Sequence, residues 1–255
     1  EALNNLGVVC QKLSRHAEAE RHFREILRVD PANTQARNNL GVVYREVGRL
    51  DEATALFREA ARLAPSYTTA ALNLGGVLEK AGLVSDALQE YERLARLNPE
   101  DAETHFRLGT ALESVDRRKE AIAHFEQTRR LAPDHRPALR ALGSAYQAEG
   151  DTLRAAEAFE RLAEIDPGSA DYHYDLAMLH RDQGQLEAAE AEAKQFLEHS
   201  PSHAGAKLLL GDIYLRQKQY RHAEQLFTEV AEQEPDNAAA HTMLAAAARA
   251  MGDPG

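Results

Sequence analysis

The sequence predicts an all-α solenoid of antiparallel helix pairs, about seven repeats followed by one extra helix. Three series held in one register predict it. Pro31, Pro65, Pro99, Pro133, Pro167, Pro201 and Pro235 recur every 34 residues. Leu6-Gly7, Leu40-Gly41, Leu74-Gly75, Leu108-Gly109, Leu142-Gly143, Leu176-Ala177, Leu210-Gly211 and Leu244-Ala245 keep the same beat. So does an alanine, from Ala19, Ala53 and Ala87 to Ala223, followed four residues later by a ring at Phe23, Phe57, Tyr91, Phe125, Phe159 and Phe227. Ala193 is the one exception to the ring. A fixed period of roughly 20–50 residues is the mark of stacked helical or strand units.

Each element follows from these residues. With Thr34 as position 1, positions 4, 7, 8 and 11 lie at i, i+3, i+4 and i+7, one buried face of a first helix. The small residue at position 8 and the alanine at position 20 let the two helices approach, and the leucine at 7 and the ring at 24 fill the space between them. Gly48, Gly82, Gly150, Gly184 and Gly252 stand where a left-handed cap would stop the first helix. The proline stops the second, because the residue before it is pushed out of helical geometry. Repeats are expected at about 1–33, 34–67, 68–101, 102–135, 136–169, 170–203 and 204–237, with a last helix over 238–251.

Repeat six is the irregular one. Ala193 replaces the ring, Ala177 replaces the glycine, and Phe196 stands where other units carry smaller residues such as Ala60 and Thr128. Two readings are open: a compensating exchange of core volume, or a local bend. One unit cannot bury its own apolar face, so stacking must do it. The last helix offers Thr242, Met243, Leu244 and the run Ala245 to Ala248 where a terminal helix would show charge. A single array over 1–255, excerpted from a longer protein, is therefore expected.

Composition narrows the function. The 255 residues are 44% apolar and 28% charged, with no stretch approaching the ~18 apolar residues of a membrane span, so no direct membrane insertion is expected. A net charge of −11 argues against nucleic acid, which asks for a basic stripe. Residues 136–255 hold 11 Lys/Arg against 20 Asp/Glu, a bias that reads either as attraction for a basic partner or as solvated helix faces. Cys10 is the only cysteine and can form neither an internal disulfide nor a thiolate cluster. No signal-peptide pattern opens the chain, and cytoplasmic and periplasmic locations both stay open.

The pattern resembles the tetratricopeptide repeat family, whose units carry an aromatic, Leu-Gly, Tyr, Ala, Phe and Pro within about 34 residues. The resemblance covers the whole chain. It departs at position 4, never Trp here, and at position 11, which varies among Cys10, Tyr44, Leu78, Leu112, Tyr146, His180, Tyr214 and Ala248. It implies a right-handed superhelix in which first helices line a concave groove and positions 2, 5, 6, 9, 12 and 13 face a bound segment. On that basis Asn4, Asn5, Asn38, Asn39 and Asn73 form an asparagine ladder, similar to that in the repeat domain of the O-linked N-acetylglucosamine transferases. An amide offers donor and acceptor together, so such a ladder suits a peptide main chain; bonding to neighbouring helices is the alternative. Phe106, Arg107, Arg140, Tyr174, Asp175, Met178, Arg181 and Leu208 fall on the same implied face, and Tyr and Arg are common binding anchors.

Chemistry-bearing motifs do not assemble. His173 and His180 lie seven residues apart on one helix, about 10 Å along its axis, too far to share one ion. No pair of carboxylates in opposed environments and no phosphate loop is legible, so neither catalysis, metal nor cofactor is expected. The carboxylate clamp of chaperone-binding members, Lys and Asn at positions 5 and 9 of one unit, fails at Asn4 with Val8 and at Asn38 with Val42. The expectation is a non-catalytic scaffold that takes an extended peptide or helix of a partner protein, monomeric or weakly associated end to end. Two alternatives stand beside it: a substrate-selecting arm of a larger enzyme such as a glycosyltransferase, and a rigid spacer of an export or envelope assembly.

Overall fold

The computed structural model describes residues 2–165 and 172–252. Among them lie fifteen helices and no strand. The first helices of successive repeats are α1 (Ala2–Lys12), α3 (Thr34–Glu46), α5 (Thr68–Lys80), α7 (Ala102–Ser114), α9 (Arg136–Ala148), α11 (His173–Asp182), α13 (Ala204–Arg216) and α15 (Ala238–Ala250). The second helices are α2 (His16–Val29), α4 (Leu50–Leu63), α6 (Val84–Leu97), α8 (Arg118–Leu131), α10 (Thr152–Ile165), α12 (Leu186–His199) and α14 (Tyr220–Gln233). They form two compact units, Glu1–Pro133 and Asp134–Gly255.

Within each unit every helix packs on the next in sequence. First helices also pack on first helices: α1 on α3, α3 on α5 and α5 on α7 in one unit, α11 on α13 and α13 on α15 in the other. This layer of first helices is the face that the repeat pattern assigns to binding.

Local chemistry sets the helix ends. Asn33, Asp101 and Asn237 precede α3, α7 and α15, and each side chain accepts from the backbone N–H three residues on. His135 and His203 do the same through Nδ1, accepting from Ala138 and Ala206. Gly48 follows α3 at φ 81°, where a left-handed turn excludes most side chains. The residues before Pro31, Pro65 and Pro99 have non-helical ψ values of 86°, 83° and 72°, so each second helix ends where the proline requires.

The core explains the glycine at position 8. A Cβ built on Gly75 would lie 2.2 Å from the Tyr91 ring, and one on Gly41 would lie 2.7 Å from Phe57. Those rings are fully buried. In repeat six both Ala177 and Ala193 are fully buried, so the exchange of core volume is an Ala–Ala pair in place of Gly and ring. Phe196 takes no part in it. It is half-buried and packs instead against Tyr174 and His203.

Position 4 has a second role that the repeat pattern did not reveal. Arg37 donates from Nη2 to the Pro31 carbonyl at 2.6 Å, and His105 and His241 reach the Pro99 and Pro235 carbonyls at 3.1 and 2.8 Å. Each ties the start of a first helix to the loop that precedes it. His173 is buried and meets Glu192 at 2.5 Å through Nδ1; the corresponding Pro167 lies outside the described residues.

Candidate inner face of the first helices

In the first unit the asparagines form one directed relay. Arg45 donates to Asn73 at 3.0 Å, Asn73 to Asn38 at 2.9 Å, Asn38 to Asn39 at 3.4 Å and Asn39 to Asn4 at 3.0 Å. The register is constant: position 6 of one repeat bonds position 5 of the repeat before. Asn38 is only 4% exposed, whereas Asn4, Asn39 and Asn73 are half-buried and Asn5 is exposed. The ladder thus bonds its neighbouring helices, and each amide in it retains a further donor or acceptor. Arg45 was not legible as a member, because its contact joins positions 12 and 6 of adjacent repeats.

Gly76 lies three residues after Asn73 on α5. A Cβ there would meet nothing nearer than the Tyr91 hydroxyl at 3.9 Å. Glycine inside a helix costs about 1 kcal/mol relative to alanine, and here no packing constraint in the chain asks for it. Farther along the same unit, Phe106 is half-buried with its ring 6.0 Å from Phe125. Arg107 is exposed and donates from Nε to Glu103 one turn back at 2.6 Å.

The second unit gathers a different set. Tyr174, Phe196 and His203 form a three-ring cluster with centroids 5.1 to 5.5 Å apart. Gly205 leaves room for it, since a Cβ there would stand 3.3 Å from the Tyr174 hydroxyl and 3.2 Å from the His203 ring. Asp175 is half-buried, and no hydrogen bond or ion pair holds its carboxylate among the described residues. Burial pushes its carboxyl above the usual range, partly offset by the charge of Arg140. Arg140 is exposed and borders a cleft of about 380 Å³ with Arg136, Pro137, Leu162 and Tyr172.

Met178, Leu208 and Leu215 are half-buried against the core of this unit. Arg181 bridges Asp182 at 2.8 Å and Asp212 of α13 at 3.5 Å, and Arg216 holds Asp212 at 3.0 Å. Leu209, at position 6, is buried rather than groove-facing, because an apolar side chain in that register packs down between helices. His203 escaped the sequence reading: it caps α13, and nothing in the repeat placed it beside Tyr174.

Away from this face, the Nδ1 atoms of His105 and His124 stand 3.1 Å apart with the rings stacked. Burial, and then the neighbouring imidazole, lower the pKa of His124, against weaker opposing effects of Glu120 and Glu92. A histidine whose folded pKa is depressed contributes stability above its unfolded pKa of about 6.5 and loses it as pH falls. The melting temperature is expected to drop between about pH 7.5 and about pH 5.5, and His124→Gln to flatten that slope. Equal slopes for both proteins would contradict the assignment. Among the described residues no three His, Cys, Asp or Glu are placed to hold a metal ion, and no helix is long and apolar enough to cross a membrane.

In each unit, stacked helix pairs with a layer of first helices define a helical-repeat fold. Sequence profiles described as tetratricopeptide repeat match residues 1–66, then 43–102, 72–114 and 106–170, then 146–195 and 180–248. The chain belongs to the tetratricopeptide repeat family. Such arrays are interaction scaffolds for protein partners and are typically non-catalytic. No curated sequence matches it. Among solved structures, the C-terminal part of a repeat protein from Cytophaga hutchinsonii aligns with a TM-score of 0.75 at 17% identity, over 94% of this chain and 98% of that one. YrrB, described as having an unusual peptide-binding site, aligns at 0.61 and 23% identity over 72% and 95%. MamA aligns at 0.60 and 22% over 67% and 93%. These likenesses are of fold.

Proposed function

We propose that the layer of first helices receives an extended segment of a partner protein, with the partner's main chain running over the asparagine relay of the first unit. The relay itself carries the reading. Each amide is oriented by the next, so the donors and acceptors left over are held in place before any ligand arrives, which reduces the ordering cost of binding. A ladder of amides one repeat apart matches main-chain groups rather than particular side chains. The open Cβ position of Gly76 supports the same reading, because it admits close approach of a backbone beside Asn73. YrrB, of similar fold, is described as peptide-binding.

The test is a selection of peptides from a random-peptide phage library on the whole chain, followed by titration of the enriched peptides. Asn39→Ala with Asn73→Ala is expected to weaken binding by about tenfold or more, with helix content retained. A convex-face control, Arg58→Ala with Gln89→Ala, is expected to bind as the parent does. Equal loss in both variants would place the binding elsewhere.

A further inference from the structure

We propose that the second unit adds a pocket for one basic side chain of the partner, its cation lying on the Tyr174 ring with its charge against Asp175. This rests on the inner-face reading above and supplies its side-chain selectivity. Two linked departures from the repeat converge here. Phe196 stands half-buried where other repeats bury Ala60, Leu94, Thr128, Leu162 and Val230, and Gly205 keeps the mouth of the cluster open beside the Tyr174 hydroxyl. The result is an aromatic shelf at the edge of the core, against which Tyr174 also packs. Tyr174 is half-buried, and its hydroxyl makes no hydrogen bond among the described residues.

Asp175 supplies the second half. It follows Tyr174 directly on α11, so the two hold the inner-face positions 5 and 6 of one repeat. Other acids on this face are engaged: Asp212 by Arg181 and Arg216, and Asp182 by Arg181. Asp175 is the half-buried carboxylate left without an ion pair among the described residues. An ionised carboxylate only accepts, and partial burial without a partner is costly, so a donor that brings charge is the fitting occupant. A guanidinium or ammonium gains twice, from the face of an aromatic ring and from the carboxylate. Arg140 offsets part of that field. The long-range balance agrees: residues 136–255 carry 11 basic against 20 acidic residues.

The experiment compares peptides enriched from the random library by the parent chain and by Asp175→Asn. The parent is expected to enrich a position rich in Arg or Lys, and Asp175→Asn to lose that preference. Against a peptide bearing the basic residue, Asp175→Asn and Tyr174→Leu are expected to weaken affinity by about tenfold, and Tyr174→Phe to retain it. Melting of Asp175→Asn is expected to match the parent within about two degrees, since the carboxylate supports no contact of the fold. Enrichment without a basic position, or a preference that survives in Asp175→Asn, overturns this pocket while leaving the asparagine relay standing. A large drop in melting temperature would make Asp175 structural and overturn it as well. No enrichment on the parent chain would overturn both proposals together.

Discussion

Phe125→Ala is expected to lower the stability of the first unit by roughly 3–5 kcal/mol, the range of a buried ring truncated to a methyl group. The ring is fully buried, and the helix it meets has a glycine at the contact: a Cβ on Gly109 would lie 2.5 Å from it. Gly109 itself therefore offers no side chain to refill the space. The lost contact is one of those that join α7 to α8, beside the His105–His124 stack, so the damage falls on the interior of a repeat. Urea unfolding followed by circular dichroism measures it. Arrays can lose cooperativity when one unit weakens, so a broadened or two-step transition belongs to the expected result. A shift below about 1 kcal/mol would mean that the ring does not hold the pair together.

Ala193→Phe is expected to destabilise the second unit by roughly 1–3 kcal/mol, although it restores the phenylalanine that five other repeats carry, Tyr91 standing in the sixth. In those repeats the ring faces glycine, whereas here it would meet the methyl group of Ala177 in a fully buried site. Adding Ala177→Gly should recover most of the loss, while Ala177→Gly alone should destabilise by leaving a void and a helix-interior glycine. The four proteins make a double-mutant cycle, and the account requires a favourable coupling of about 1 kcal/mol or more. Additive effects would show that positions 8 and 24 are not a matched pair.

Much of the fold was legible because period, helix face and helix ends each leave their own residues in the sequence. Gly48 and the prolines fixed where helices stop, and Leu40, Gly41 and Phe57 fixed which faces meet. Repeat six was ambiguous for a physical reason: volume can move between Ala177 and Ala193 or toward Phe196, and a sequence does not state which pair touches. The candidate site was legible as positions but not as contacts. The inner-face positions of Asn39 and Asn73 could be read, yet Asn38 turned inward, and the relay through Arg45 depends on how adjacent repeats are offset. His203 and Gly205 matter beside Tyr174 only because three different elements meet there, and the repeat pattern does not encode that.

The central claim, that a partner's main chain lies on the first-helix layer, is tested most directly at Gly76. Gly76→Leu adds a bulky side chain three residues after Asn73 at a site with room for a Cβ, which would stand 3.9 Å from the Tyr91 hydroxyl, an ordinary contact. Affinity for library-selected peptide should be measured by isothermal titration, with melting temperature recorded on the same samples. The account predicts a melting temperature equal to or above that of the parent, from the gain in helix propensity, together with a loss of affinity of about tenfold or more. Unchanged affinity in a folded Gly76→Leu protein would contradict the account and move the binding surface off this face.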